Sequence, residues 1–202
     1  MNTKKHIVSH NYQITKEERS GLNNHNSFLV LFTGLSGAGK STLANALDER
    51  LYQEKIHTYV LDGDNIRNGI NKNLGFSQED RSENNRRIGE ISKLFIDAGI
   101  VVLAAFIAPY KKDRAFIKQT VGADNFLEIF VNTSLEECER RDTKGLYKKA
   151  RAGQINNMTG ISAPYEAPEN PDVEIAQLNS VEESVALIYN KIKDKLRLKI
   201  NE

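Results

Sequence analysis

The eight residues GLSGAGKS at 34–41 constrain this chain more than any others, because they sit between an apolar run, FLVLFTG, and a stretch with helical spacing, KSTLANALDERLY. They fit the pattern G-x-x-x-x-G-K-[ST] in the strand-to-helix setting that gives the pattern meaning. There, backbone N–H groups along Gly34, Leu35, Ser36, Gly37, Ala38, Gly39, Lys40, Ser41 and Thr42 face phosphate oxygens, and the helix start adds partial positive charge. Lys40 reaches the β- and γ-phosphates, and the Ser41 hydroxyl is a ligand for Mg²⁺. The expected ligand is a nucleoside triphosphate.

The remaining pattern alternates. A strand is expected over HTYVLDGD (57–64), a long amphipathic helix over 79–98, a strand over IVVLAAFIA (100–108) and a helix over 111–120. Strand NFLEIFV, helix 134–140, an irregular segment 141–171, strand DVEIAQL and helix 181–197 follow. Near-continuous apolar strands separated by helices predict an α/β fold, a parallel sheet with helices on both faces. Residues 1–26 read as a polar arm with some helix near TKEERS, and 27–202 as one domain. Segment 141–171, with three glycines and three prolines, is long for a connection and reads as a lid.

Composition narrows the function. The 202 residues carry 28 basic and 27 acidic side chains, net charge +1, so no global field favours nucleic acid or a membrane surface. Cys138 is the single cysteine, which excludes an intrachain disulfide and, with no secretory h-region or membrane-length apolar run, points to the cytoplasm. A guanine-reading switch would carry N-K-x-D, whereas the nearest string is NKNL at 71–74. A motor or transport ATPase would need a coupled domain. A small-molecule phosphotransferase fits best.

Its acceptor side is expected at the end of the second strand, where LDGDN sets Asp62 and Asp64 either side of a glycine. Carboxyl ends of strands in an open parallel sheet converge on the ligand crevice, and phosphoryl transfer needs a carboxylate there to orient a hydroxyl and take its proton. Arg67, Arg81, Arg86 and Arg87 near Phe76 offer guanidinium forks and an aromatic plate, and RRDTKGLYKKAR (140–151) sets six cations against one acid in the lid. LAAFIAPYKKDR (103–114) is a strand end opening onto cations.

These stretches, TGLSGAGKSTLA, LDGDNIRNGINKNLGFSQEDRSENNRRIGE, AFIAPYKKDR and RDTKGLYKKARAG followed by TGI and PYEAPE, resemble the adenylylsulfate kinase family in order, with a weaker match in HIVSHNYQITKEERS. The resemblance implies a P-loop kinase fold with a five-stranded parallel sheet. It also implies transfer of the ATP γ-phosphoryl, with Mg²⁺, to the ribose 3′-hydroxyl of adenosine 5′-phosphosulfate in sulfate assimilation. A homodimer is implied, and ATP sulfurylase is a candidate partner. By position, Asp64 looks like the base, Asp62 a support for Mg²⁺, and Arg67, Arg81 and Asn84 contacts to substrate. Phe76 resembles one plate of an adenine sandwich, Lys144 and Leu146 the closing lid, Arg141 a contact to the ATP adenine, and Ile107 and Ala108 a substrate-facing strand end.

Four positions depart from the family pattern. Ala108 stands where many members have a serine associated with a phosphorylated enzyme, so direct in-line transfer is expected here. Met158 replaces the phenylalanine of F-T-G-I-D, putting a thioether at the second adenine plate, and Ser162 replaces its aspartate. Ser9 replaces a tryptophan in the arm. Met158 and Ser162 leave open a paralogue acting on another nucleotide anhydride; a silent nucleotide-binding protein is the other alternative.

Overall fold

The computed structural model describes residues 8, 10 and 12–198; Ser9 lies outside the described residues. Five strands form one parallel sheet in the order β2-β3-β1-β4-β5: β1 Leu29–Thr33, β2 Thr58–Asp62, β3 Val101–Ala105, β4 Phe126–Asn132 and β5 Val173–Ala176. The helices are α1 Lys16–Asn23, α2 Lys40–Gln53, α3 Gly63–Asn68, α4 Gln78–Asp97, α5 Lys111–Val121, α6 Leu135–Arg141, α7 Leu146–Arg151 and α8 Val181–Leu196.

Side-chain alternation along the strands divides the core in two. Phe28, Val30 and Phe32 join Val101, Leu103 and Ala105 against α2 and α8, while Leu29 and Leu31 join Val102 and Ala104 against α4 and α5. Every residue of β1 and β3 is buried, which is why these strands read as unbroken apolar runs. The helix after β1 therefore lies on one face and the helix after β3 on the other, opening a crevice between the carboxyl ends of these neighbours. Register aligns that edge: Asp62 pairs with Ala105, Ala105 with Phe32, and Thr33 with Phe130.

Two expectations are corrected. The strand predicted through residue 64 ends at Asp62, because the Asp62 carboxylate accepts the Asp64 N–H at 3.0 Å and caps a new helix, α3. Segment 141–171 is not irregular throughout. Asp142 accepts the N–H groups of Tyr147 and Lys148, each at 3.0 Å, and so starts α7. Among the described residues, no helix is long and apolar enough to cross a membrane.

Candidate active site

The glycine-rich turn has the backbone its sequence requires. Gly37 and Gly39 take positive φ, 76° and 107°, and at Gly34 a Cβ would lie 2.6 Å from the Val131 carbonyl oxygen. Gly39 starts α2 without a side-chain cap, leaving the first-turn N–H groups available to an anion. Two contacts brace the turn from outside: Tyr147 on α7 donates to the Ser36 carbonyl at 2.8 Å, and the Thr133 hydroxyl donates to the Ala38 carbonyl at 3.0 Å. Lys40 is folded back, giving a proton to the Leu35 carbonyl at 2.7 Å. Burial pushes its pKa down to about 8, partly offset by nearby Cys138, Asp62 and Asp64.

Ser41 opens α2 and Asp62 ends β2, and the two meet: the Ser41 hydroxyl donates to Asp62 Oδ2 at 2.6 Å. One hydroxyl and one carboxylate are the hard oxygen donors a Mg²⁺ ion takes beside phosphates, so this pair fits the ion. Asp64, on the first turn of α3, forms an ion pair with Lys144, which lies between α6 and α7. Phosphate loop, acidic strand end and segment 141–171 thus converge on one sheet edge, although they lie up to about a hundred residues apart in sequence. Arg141 contributes from α6: its Nε pairs with Glu137 at 2.7 Å and its Nη1 sits 3.5 Å from the Gly37 carbonyl.

A second cluster gathers around an exposed aromatic ring. Phe76 is 58% exposed, with the Arg67 guanidinium 4.6 Å and that of Arg81 5.7 Å from its centroid. Arg67 donates to the Gly75 carbonyl at 2.8 Å, and Arg81 donates to Phe76 O at 3.1 Å and to Asn157 O of the lid at 2.6 Å. Burial lowers both guanidinium pKa values, with Arg81 adding to the effect on Arg67, yet arginine stays a cation. Asn84 accepts from the buried Asn71 amide at 2.9 Å. Met158, next to Asn157, is 6% exposed and packs in the larger core cluster, and its N–H donates to the Ser162 hydroxyl at 3.1 Å.

Other cations have structural partners. Arg86 and Arg87 both hold Glu83, at 2.7 and 2.8 Å, so one acid offsets part of their charge. In the lid run, Arg140 and Arg141 pair with Glu137 and Arg151 with Glu139, so acids of α6 neutralise half of the expected cationic surface. The cations after β3 likewise brace the fold: Lys111 pairs with Glu169 at 2.5 Å, and Arg114, 4% exposed at its side chain, lies 2.7 Å from Glu128.

The strand expected through residue 108 ends at Ala105, and just beyond it Ile107 is half-buried and the Ala108 methyl is buried, with φ at +42°. Arg114 takes the Ala108 carbonyl at 2.8 Å, so this corner shapes the crevice through its backbone path. Cys138 is buried, and burial raises its thiol pKa. Sequence reasoning missed Thr33 and Thr133, and it gave no individual role to Arg114, Tyr147 or Tyr165 although the stretches LAAFIAPYKKDR, RDTKGLYKKARAG and PYEAPE contain them.

Comparison with known proteins agrees with this geometry. The family model described as adenylylsulphate kinase matches residues 26–176. An adenylyl-sulfate kinase of Oceanobacillus iheyensis is 56% identical over 96% of this chain and 98% of its own length; one of Staphylococcus epidermidis is 52% identical over the same shares. The solved Mycobacterium tuberculosis APS kinase CysC, in complex with AMPPNP and APS, superposes with a TM-score of 0.81 at 44% identity, over 83% of this chain and 98% of that one. The phosphate loop alone would admit many kinases; the added match through the acidic strand end, the arginine-bearing helix and segment 141–171 does not. The chain belongs to the adenylylsulfate kinase family.

Proposed function

We propose that the protein is an ATP-dependent adenylylsulfate kinase, transferring the γ-phosphoryl of ATP to the ribose 3′-hydroxyl of adenosine 5′-phosphosulfate and releasing ADP and 3′-phosphoadenosine 5′-phosphosulfate. The observation that carries this is the meeting of Asp64 with Lys144: an acidic strand end and a lid cation close over the same edge as the phosphate loop.

In this reading the loop from Gly34 to Thr42 holds the triphosphate, with Lys40 released from the Leu35 carbonyl to the β- and γ-phosphates and Arg141 beside the adenine. Mg²⁺, when bound with ATP at Ser41 and Asp62, neutralises phosphate charge. Arriving substrate takes Lys144 from Asp64, freeing the carboxylate to accept the 3′-hydroxyl proton while the lysine meets developing charge. Arg67, Arg81 and Asn84 position the acceptor's anionic groups and ribose. Phe76 stacks on its adenine, with Met158 behind the opposite side and Ile107, Ala108 and Leu146 closing the walls.

Transfer is direct, because Ala108 has no hydroxyl to carry a phosphoryl group. We read 27–202 as one catalytic domain, 141–171 as its lid and 1–26 as an arm. The protein works in the cytoplasm as a homodimer, supplied by ATP sulfurylase; the exposed Tyr59 on edge strand β2, stacked on Phe95, is apolar surface a second copy would cover. The test is ADP release by the purified protein with Mg-ATP and a panel of nucleotides. Adenylylsulfate alone should give rapid turnover; another preferred acceptor, or none, would refute the proposal.

A further inference from the structure

The lid segment does not simply lie on the domain after Met158. It returns across the crevice edge, where Tyr165 stacks on Phe130 of β4 with ring centroids 6.0 Å apart. The tyrosine hydroxyl is 2.9 Å from the hydroxyl of Thr33, the residue immediately before the phosphate loop. Thr33, fully buried, is 2.7 Å from the Ile107 carbonyl. A carbonyl accepts only, so the single Thr33 proton goes to Ile107, and Tyr165 must be the donor to Thr33. The direction of the chain is fixed: Tyr165 to Thr33 to Ile107.

The same limb is fastened at Glu166, whose N–H donates to the Pro109 carbonyl at 2.8 Å and whose carboxylate accepts the Lys111 N–H at 2.7 Å. Tyr165 also walls an open cleft of about 610 Å³ with Leu35 of the phosphate loop and Gly160–Pro164. We propose that Tyr165 is a positioning residue for phosphoryl transfer: its hydroxyl ties the returning limb of the lid to both the start of the phosphate loop and the acceptor-side end of β3. Donor and acceptor halves of the crevice then keep one spacing whenever the limb is docked, which is what an in-line transfer between two separately bound substrates requires. Burial pushes the Tyr165 pKa up to about 12, so the group stays a donor throughout the neutral range. The inference rests on the adenylylsulfate kinase reading for its kinetic consequence but not for the tie itself.

Tyr165→Phe keeps the stack on Phe130 and deletes only the donated proton. It should lower kcat/KM for adenylylsulfate about 3–10-fold, the weight of one hydrogen bond, with ADP affinity within about twofold of wild type. Thr33→Val interrupts the same chain, so the double variant should fall no further than the worse single one. Unchanged kcat/KM, a matching loss of ADP affinity, or additive effects would overturn the proposal. Amide hydrogen exchange reads the tie without any acceptor: residues 158–166 and 107–110 should exchange faster in Tyr165→Phe while α2 does not change, and equal exchange overturns it. Wild-type turnover alone tests the functional reading, so the two failures are told apart.

Discussion

Replacing Arg114 with methionine should destabilise the protein more than any change to an exposed cation of segment 141–171. Its Nε lies 2.7 Å from Glu128 Oε1, a close ion contact, with side-chain exposures of 4% and 17%. Its two other nitrogens donate to the Ala108 carbonyl at 2.8 Å and the Glu166 carbonyl at 2.7 Å. Methionine fills comparable volume but leaves a carboxylate buried without its cation and two carbonyls without donors. Breaking a buried pair from one side costs about 3–5 kcal/mol. For a chain of this size that corresponds to a fall in Tm of about 6–20 °C. Burial already raises the Glu128 pKa, so the folded state binds more protons than the unfolded one and this group's contribution to stability falls as pH rises. Without Arg114 that pKa rises further, and the variant's deficit should be smaller at about pH 5 than at about pH 8. Urea unfolding of Arg114→Met, Glu128→Met and the double variant measures this. The double variant should be more stable than the sum of the singles predicts by about 2 kcal/mol; additivity within about 0.5 kcal/mol would refute the pairing.

Two further outcomes follow from the site. With the Lys40 pKa near 8 and bound phosphates favouring its charged form, ATP binding should take up about half a proton at pH 8 and weaken as pH rises beyond it; titration calorimetry in buffers of different ionisation enthalpy measures the uptake, and none would refute the lowered Lys40 pKa. Ala108→Ser puts a hydroxyl where the methyl is 2% exposed, so it should stay unphosphorylated by intact mass with turnover within about threefold, at a stability cost of about 1–3 kcal/mol. A stable phosphoserine with sharply faster turnover would refute direct transfer.

How much of this was legible in the chain depends on where each signal lives. Strands β1 and β3 are buried on both faces, so FLVLFTG and IVVLAAFIA announced a parallel sheet. The glycine turn was legible because its conformation restricts residue choice. The break at Asp62 was not: a capping carboxylate followed by glycine reads equally as the end of a strand and the start of a helix. Charge was misread most. Arg86, Arg87, Arg140 and Arg151 look like ligand cations by composition, yet each finds an acid on a neighbouring helical turn or helix, a pairing that spacing suggests only once the helix bounds are known. The roles of Thr33, Arg114 and Tyr165 were not legible, even though Arg114 and Tyr165 lie in quoted stretches, since their partners are backbone carbonyls and side chains brought close only by the fold.

The most direct test of the account is a quenched single-turnover measurement on wild type and Asp64→Asn with Mg-ATP and adenylylsulfate. Asparagine preserves shape at an exposed position but cannot take a proton. The account predicts a 3′-phosphorylated product from wild type and a transfer rate about 10²–10⁴-fold slower in the variant, with ATP affinity retained. Transfer by Asp64→Asn at close to the wild-type rate would contradict it.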